Sequence, residues 1–587
     1  MPRIASEDLI ERLAEWGVDT IFGIPGDGIN GIMEALRRHR DRIRFVLVHH
    51  EEAAAFMATA YAKSTGRLGV CLATSGPGAI HLLNGLYDAK LDHMPVLALT
   101  GMQETEMLGT GYQQEVALEK LFIDVAEYNE SIRNPAQVTT LVDLAVRHAL
   151  ARRTVTHLTF PTDIQIAEAG SNPWSAPAPA VIKKTAPIYL PPSGRPDPAQ
   201  LDAAAAVLNA GGKVVMLVGA GALHARDEVL ATAEVLGSPI VKTLSGKAAV
   251  PDDHPLAIGG LGLLGTAPAQ DAVEGCDTLF MVGTNFPYTK YLPESGKVRV
   301  VQIEADPIRA GNRLATEVPM IGDSKPSLAE LLPKLERKTD RSFLESAQEA
   351  MKSWRERMRS LEEITDDPIQ PQRLMSLIDT IASDDAILTC DSGTIATWAA
   401  RHFHIRAGRQ FYLSGNLATM APGLPYAIGA QIAHPDRQCI AFVGDGGFAM
   451  LMAEFSTACG YGLPVKVVIN NNASLGQIMW EQLALGYPEF GIRFPQRPDF
   501  AAWGSACGGL GIRVDKDEEL EGALRQAFSF DGSALVDVTV NDAEPPMPGK
   551  VQYEQAKGFV KAFLAGQPHK ATIASTLFRD KINEMRS

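Results

Sequence analysis

The chain has 587 residues, 46% of them hydrophobic, and a formal net charge of −15 with a pI near 5.4. That acidity speaks against a nucleic-acid polyanion as partner, and the length calls for three to four domains at roughly 150 residues each. The six cysteines are scattered, without the close pairs of a zinc or redox motif, and no stretch approaches the ~20 unbroken apolar residues of a membrane span, so a reduced, cytoplasmic protein is expected.

Residues 1–180 alternate short apolar strands, as at 68–73 and 96–100, with amphipathic helices in a βαβ rhythm. Within them an apolar strand at 46–48 runs into His49-His50-Glu51-Glu52-Ala53 and a helix. A carboxyl held at such a strand end in an apolar cleft has a raised pKa and can donate a hydrogen bond. As a first-turn acid it would equally complement the helix dipole. Pro-rich sequence at 172–179 and 187–196 reads as an extended linker.

A second block, 190–335, opens with a strand at 213–218 that ends in Gly219-Ala220-Gly221, a weak nucleotide signal by itself, and continues with strands at 278–282 and 298–303. Charged helical sequence at 335–365 leads to a third block, 365–545, with strands at 386–389, 439–443 and 465–469, and then to a tail, 546–587. The pattern is α/β: three doubly wound parallel-sheet domains.

The third block carries the sharpest chemistry. Its strand at 439–443 ends in Gly444-Asp445-Gly446-Gly447, and the next, at 465–469, ends in Asn470-Asn471-Asn472. Consecutive parallel strands put their C-terminal ends side by side, where open α/β sheets bind ligands. A carboxylate and an amide oxygen there suit Mg²⁺, which fills its other positions with phosphate oxygens. The glycines admit a diphosphate to the N–H groups of a helix expected to begin near Phe448.

These blocks resemble the fingerprint of thiamine diphosphate (ThDP) enzymes, with the loop after the Asn run ending in Leu475-Gly476. The resemblance implies Asp445, Asn472 and the carbonyl of Ser474 as metal ligands, with Asn471 the alternative to Asn472 because of the extra Asn470. It implies that Glu51, the first Glu of a His-Glu-Glu block, is the acid that protonates the cofactor's aminopyrimidine. Pro25, Gly26 and Gly76 then sit in two loops of a pyrimidine-binding domain, and Thr394, Gly444, Gly446, Gly447, Leu475 and Gly476 in a diphosphate-binding domain. Thr419 and Met420 match the segment whose Met wedges between the cofactor rings, and Gln114 matches an active-site Gln.

In the central block, Gly219, Gly221, the run 259–265 with Gly262 and Leu263 in it, the run Thr284-Asn285-Phe286-Pro287-Tyr288, Glu304 and Asp323 resemble the FAD segments of pyruvate oxidases, especially the quinone-reducing type. Glu304, at a strand end, is placed to accept a ribose hydroxyl. The likeness runs over residues 5–565 and implies oxidative decarboxylation of a 2-oxo acid, pyruvate to acetate and CO₂, with electrons leaving FAD for a quinone or another acceptor. Acetolactate synthase-type carboligation with a structural FAD, non-oxidative decarboxylation and a non-enzymatic scaffold are the competing readings. Family members build this site between subunits, so a homodimer or homotetramer is implied.

Two positions depart from the pattern: Gln113 stands where an aromatic residue is usual, and Gln477 where Phe or Met is usual, which points to a more polar substrate pocket. Residues 550–587 carry seven basic and three acidic side chains, and Phe559, Phe563 and Leu564 offer an apolar helical face. Such a segment suits either an anionic membrane surface, within reach of a quinone, or packing against protein.

Overall fold

The computed structural model describes residues 2–171, 186–191, 194–406, 408–546 and 553–576. Most of the Pro-rich linker, 172–185 with 192–193, and the end of the tail, 577–587, lie outside the described residues. The first sheet comprises β1 (Thr20–Gly23), β2 (Arg44–Leu47), β3 (Gly69–Ala73), β4 (Val96–Met102), β5 (Tyr128–Ser131) and β6 (Val155–Pro161), in the order β2-β1-β3-β4-β6-β5. The central sheet holds β7 (Val214–Val218), β8 (Ile240–Lys242), β9 (Ala257–Gly260), β10 (Thr278–Val282), β11 (Arg299–Glu304) and β12 (Val318–Ile321), in the order β12-β11-β10-β7-β8-β9. The third holds β13 (Ile387–Cys390), β14 (Gln410–Tyr412), β15 (Cys439–Gly444), β16 (Lys466–Asn471), β17 (Leu510–Val514) and β18 (Ala534–Thr539), in the order β14-β13-β15-β16-β18-β17. Every pairing between these strands is parallel.

Parallel strands are covered by helices on both faces, which is why β3, β4, β6, β7 and β10 are buried along their whole length and β3 and β7 read as unbroken apolar runs, while β6 buries Thr156, His157 and Thr159 among its apolar residues. The order of each sheet reverses beside its first strand, between β1 and β3, between β7 and β10, and between β13 and β15, and the first and third sheets reverse again at their far edge, where β6 and β18 insert inside β5 and β17. A crevice opens above the C-terminal ends of the strands at such a point. The motifs read from the sequence fall on the loops leaving these strands: Pro25-Gly26 and Gly76, Gly219-Ala220-Gly221 and Thr284, and Asp445.

The first and third domains pack directly. Helix Glu51–Thr65 lies so close to helix Gly423–Ala433 that a Cβ on Gly429 would sit 2.5 Å from the carbonyl oxygen of Met57. One apolar cluster runs through both domains, and buried Lys63 bridges them through Asp92 at 2.7 Å and the Tyr426 hydroxyl at 2.8 Å. Charged sequence at 335–365 forms the helix Ser342–Glu362. The tail helix Tyr553–Leu564 docks on helix Gly476–Ala484, with Phe559 against Trp480 at 6.0 Å between ring centroids and Ala562 buried, while Leu564 is exposed. All six cysteines are free, and Cys71, Cys276, Cys390 and Cys439 are buried.

Candidate active site

Strands β15 and β16 pair with Gly444 opposite Asn470, so Asp445 and Asn471-Asn472 leave the sheet side by side. The helix expected near Phe448 begins at Asp445, which puts Asp445-Gly446-Gly447 into its first turn. Burial pushes the Asp445 carboxyl up to about 7 against the opposing pull of its own N–H and that of Gly446, a cost that a bound cation would remove. The amide oxygen of Asn472 accepts from the Ser474 N–H at 3.1 Å. Asn471 turns its amide elsewhere, donating to Asp537 at 2.9 Å and accepting from Ala473 N–H at 3.3 Å. The side-chain oxygens of Asn470 and Ser474 are buried without a partner.

A Cβ on Gly446 would meet Phe494 at 3.1 Å and Leu475 at 3.3 Å, and one on Gly476 would meet the Asn472 amide nitrogen at 2.6 Å and Thr394 at 3.4 Å. Hard oxygen donors, an open helix N-terminus and positions with little room for a side chain fit a divalent cation carrying a diphosphate. Asp391, which sequence reasoning missed, closes the site from beneath. Fully buried at the end of β13, it accepts the Gly423 N–H at 2.7 Å, its second oxygen has no partner, and a Cβ on Gly447 would fall 2.0 Å from it. Burial raises its carboxyl to about 7.

At the other end, Glu51 opens helix Glu51–Thr65 and is 8% exposed. Its carboxylate lies 2.9 Å from Nδ1 of His81, whose ring stacks on His50 at 4.6 Å. Gly76, at φ 60°, packs against Gln114, itself left-handed at φ 60°, so the loop bearing Gln114 lies on the pyrimidine-side loops. Gln113 is exposed, as is Pro25, and Gly26 abuts Thr74. Met420 stands between Ala418 and Ala421, at φ 55° and 78°, two left-handed alanines of the kind that cluster at functional loops. The Thr419 hydroxyl accepts from Asn84 at 3.1 Å, and Asn84 also donates to Glu52 at 2.6 Å, so the Met420 loop and the Glu51 helix start are linked within one chain.

In the central domain a Cβ on Gly219 would strike Thr284 at 2.5 Å, and one on Gly221 would lie 2.8 Å from Gly283, whose φ is 59°. This glycine contact leaves a cradle above β7 and β10 that fits a dinucleotide. Around it Thr284 and Phe286 are buried, Asn285 has a buried amide oxygen without a partner, and Pro287 and Tyr288 are exposed. Phe286 covers Gly262, and Arg401 of the third domain binds the Leu263 carbonyl at 3.1 Å. Glu304, 9% exposed at the end of β11, accepts the Asp306 N–H at 3.2 Å, while Asp323 caps helix Ser324–Leu331 and pairs with His224 at 2.9 Å.

Three matches cover these three domains. Residues 4–121 match the thiamine pyrophosphate enzyme N-terminal TPP binding domain, 201–331 the central domain and 391–538 the C-terminal TPP binding domain. The chain belongs to this family and is a ThDP-dependent enzyme of the acetolactate synthase-like superfamily. It is 41% identical to YdaP of Bacillus subtilis, named as a thiamine pyrophosphate-containing protein, over 96% of both chains. It is 32% identical to the pyruvate oxidase of Lactiplantibacillus plantarum, over 94% of this chain and 91% of the other. With the acetolactate synthase large subunit of Parasynechococcus marenigrum the identity is 33%, over 92% and 89%. No helix among the described residues is long and apolar enough to cross a membrane.

Proposed function

We propose that the chain catalyses oxidative decarboxylation of a 2-oxo acid, pyruvate to acetate and CO₂, with ThDP, Mg²⁺ and FAD, and hands the electrons to a quinone or another acceptor. The observation that carries the reading is the central cradle, where Gly219, Gly221 and Gly283 meet without side chains beside the unpartnered Asn285 oxygen and Glu304. When bound, ThDP supplies the electron sink for loss of CO₂ and FAD takes up the electron pair. Asp445, Asn472 and the Ser474 carbonyl would hold Mg²⁺, and the first turn of helix Asp445–Leu451 would hold the diphosphate. Glu51, oriented by His81, would hold a proton at the aminopyrimidine nitrogen, and Gln114 would face the substrate.

Likeness to an acetolactate synthase at 33% identity supports a second reading, in which another 2-oxo acid captures the acyl group and FAD is structural. Exposed apolar side chains around the third domain, among them Met450, Ile478, Leu485, Tyr487 and Phe490, support assembly into a dimer or tetramer. Anaerobic mixing of the ThDP-, Mg²⁺- and FAD-loaded protein with pyruvate tests the choice. Bleaching of the flavin, reversed by a quinone, is expected. Flavin that stays oxidised while pyruvate is consumed establishes carboligation or simple decarboxylation, and a protein that binds no flavin refutes the role given to the central domain.

A further inference from the structure

A cavity of about 410 Å³ lies where the central domain meets the third, walled by the ends of β8 and β9, by helix Ser342–Glu362 and by helices Pro371–Ile381 and Thr394–His402. It borders the segment 259–265 that resembles an FAD segment, taking Gly259, Gly260, Leu261, Leu264 and Gly265 into its wall but not Gly262 or Leu263. Its size lies within the range of small-molecule sites.

One stripe of the long helix faces this space. Met351, Trp354, Arg355, Met358, Arg359 and Glu362 follow the three- and four-residue spacing of a single helical face. Met351, Trp354 and Met358 are buried and give an apolar wall, and the two arginines are interleaved with them. Arg359 is exposed to the cavity side and its guanidinium has no hydrogen-bond or ion-pair partner among the described residues; Arg355 donates to the Asp252 carbonyl.

The charge of the lining runs against that of the protein. Six Lys and Arg side chains face four carboxylates there, in a chain of net charge −15. Lys242 and Lys247 share Asp252, at 2.5 and 3.1 Å, and Arg406 pairs with Asp379 at 2.8 Å. That leaves one positive charge beside Asp252 and a second among Arg355, Arg359 and Arg401, which face Asp253 and Glu362, and of these arginines Arg359 is the one whose guanidinium is unpaired among the described residues. Burial also holds Lys242 and Arg401 below their ordinary pKa values, which an anion nearby would offset.

We propose that this cavity binds a small organic anion, its charged head on Arg359 and Arg355 and its apolar body against Trp354, Met351 and Met358. A bare inorganic anion would leave the apolar wall unused, and an uncharged aromatic would leave the arginines unused, so the site selects for both features in one molecule.

Phenyl phosphate is a suitable probe, titrated calorimetrically into the enzyme loaded with ThDP and Mg²⁺, with and without FAD. One saturable site per chain is expected, unaffected by FAD, with inorganic phosphate and phenol each at least about tenfold weaker. Arg359→Glu should weaken phenyl phosphate by at least about tenfold while leaving thermal unfolding unchanged, and Arg355→Gln should weaken it as well. The proposal is overturned if phenyl phosphate shows no saturable binding, if both variants bind as the parent does, if inorganic phosphate binds as tightly, or if FAD displaces the probe.

Discussion

Substituting Asn471 and Asn472 separately by alanine distinguishes a metal ligand from a structural amide one residue away. Asn471 is 4% exposed and donates at 2.9 Å to Asp537, itself 2% exposed. Removing that donor leaves a buried carboxylate short of a hydrogen bond, which costs about 1–3 kcal/mol whether or not metal is present. Asn472 makes one internal bond, to the Ser474 N–H at 3.1 Å, beside the Asp445 helix start. Its loss should cost less in the apoprotein and show mainly in metal binding, as a rise of at least about tenfold in the Mg²⁺ concentration for half-maximal ThDP-dependent turnover, or about 1.4 kcal/mol. Urea unfolding of the metal-free proteins and Mg²⁺ titration of activity measure the two effects independently. If Asn471→Ala raises the Mg²⁺ requirement more than Asn472→Ala does while leaving apoprotein stability unchanged, the assignment is wrong and Asn471 is the ligand.

Glu51→Gln keeps the side-chain volume but cannot exchange a proton, so turnover should fall by about 10²–10⁴ with far-UV circular dichroism unchanged; turnover near the parent's would remove Glu51 from the chemistry. Gln477 has a buried, unpartnered amide oxygen and its nitrogen donates to Glu481 at 3.0 Å. Gln477→Met should raise kcat/KM for pyruvate relative to a hydroxylated 2-oxo acid by about tenfold, and an unchanged ratio would dispose of the polar-pocket idea. His157 is fully buried and desolvation pushes it down to about 3, so it stays neutral in the fold. Between the ordinary His value near 6.5 and about 3 the unfolded chain takes up a proton that the fold refuses, so stability should fall on acidification by up to about 1.4 kcal/mol per pH unit, a slope that His157→Gln should lessen. Truncation after Gly549 uncovers Met479, Trp480 and Leu483, which pack with Ala562 and Phe559, and should destabilise the protein by about 3 kcal/mol or more; an unchanged Tm would show that the docked helix contributes nothing.

The parallel sheets were legible because buried strands leave largely apolar runs, and the candidate metal ligands because Asp445 and Asn472 follow the ends of two consecutive strands. Asp391 satisfied the same criterion, a carboxylate at the C-terminal end of an apolar strand, which is also how Glu51 stood out. In Asp391-Ser392-Gly393-Thr394 that signal is masked by ordinary turn composition. His81 left no such trace. It lies 30 residues from Glu51 and reaches it only because β2 and β3 flank β1, which sets the helices leaving them next to each other. The choice between Asn471 and Asn472 was open in the sequence because the three consecutive asparagines look alike there, whereas in the fold the Asn471 amide is taken by Asp537 and Ala473 and the Asn472 oxygen meets only the Ser474 N–H.

The first and third sheets have the same strand order, yet the two copies carry different chemistry at the same reversal point. In the first, the loops after β1 and β3 close on each other through Gly26 and Thr74 and through the Gly28 N–H and the Thr74 hydroxyl at 3.2 Å, and the carboxyl comes from the end of the neighbouring β2 as Glu51. In the third, the loops after β13 and β15 themselves supply Asp391 and Asp445, the latter on a helix start open to phosphate. A cofactor with a neutral heteroaromatic end and a polyanionic end needs this division: a hydrogen-bonding carboxyl for one, a cation and free N–H groups for the other. Sheet order is set by apolar patterning common to both domains, and the division by a few loop residues, so the fold could repeat while its two copies came to hold opposite ends of one molecule.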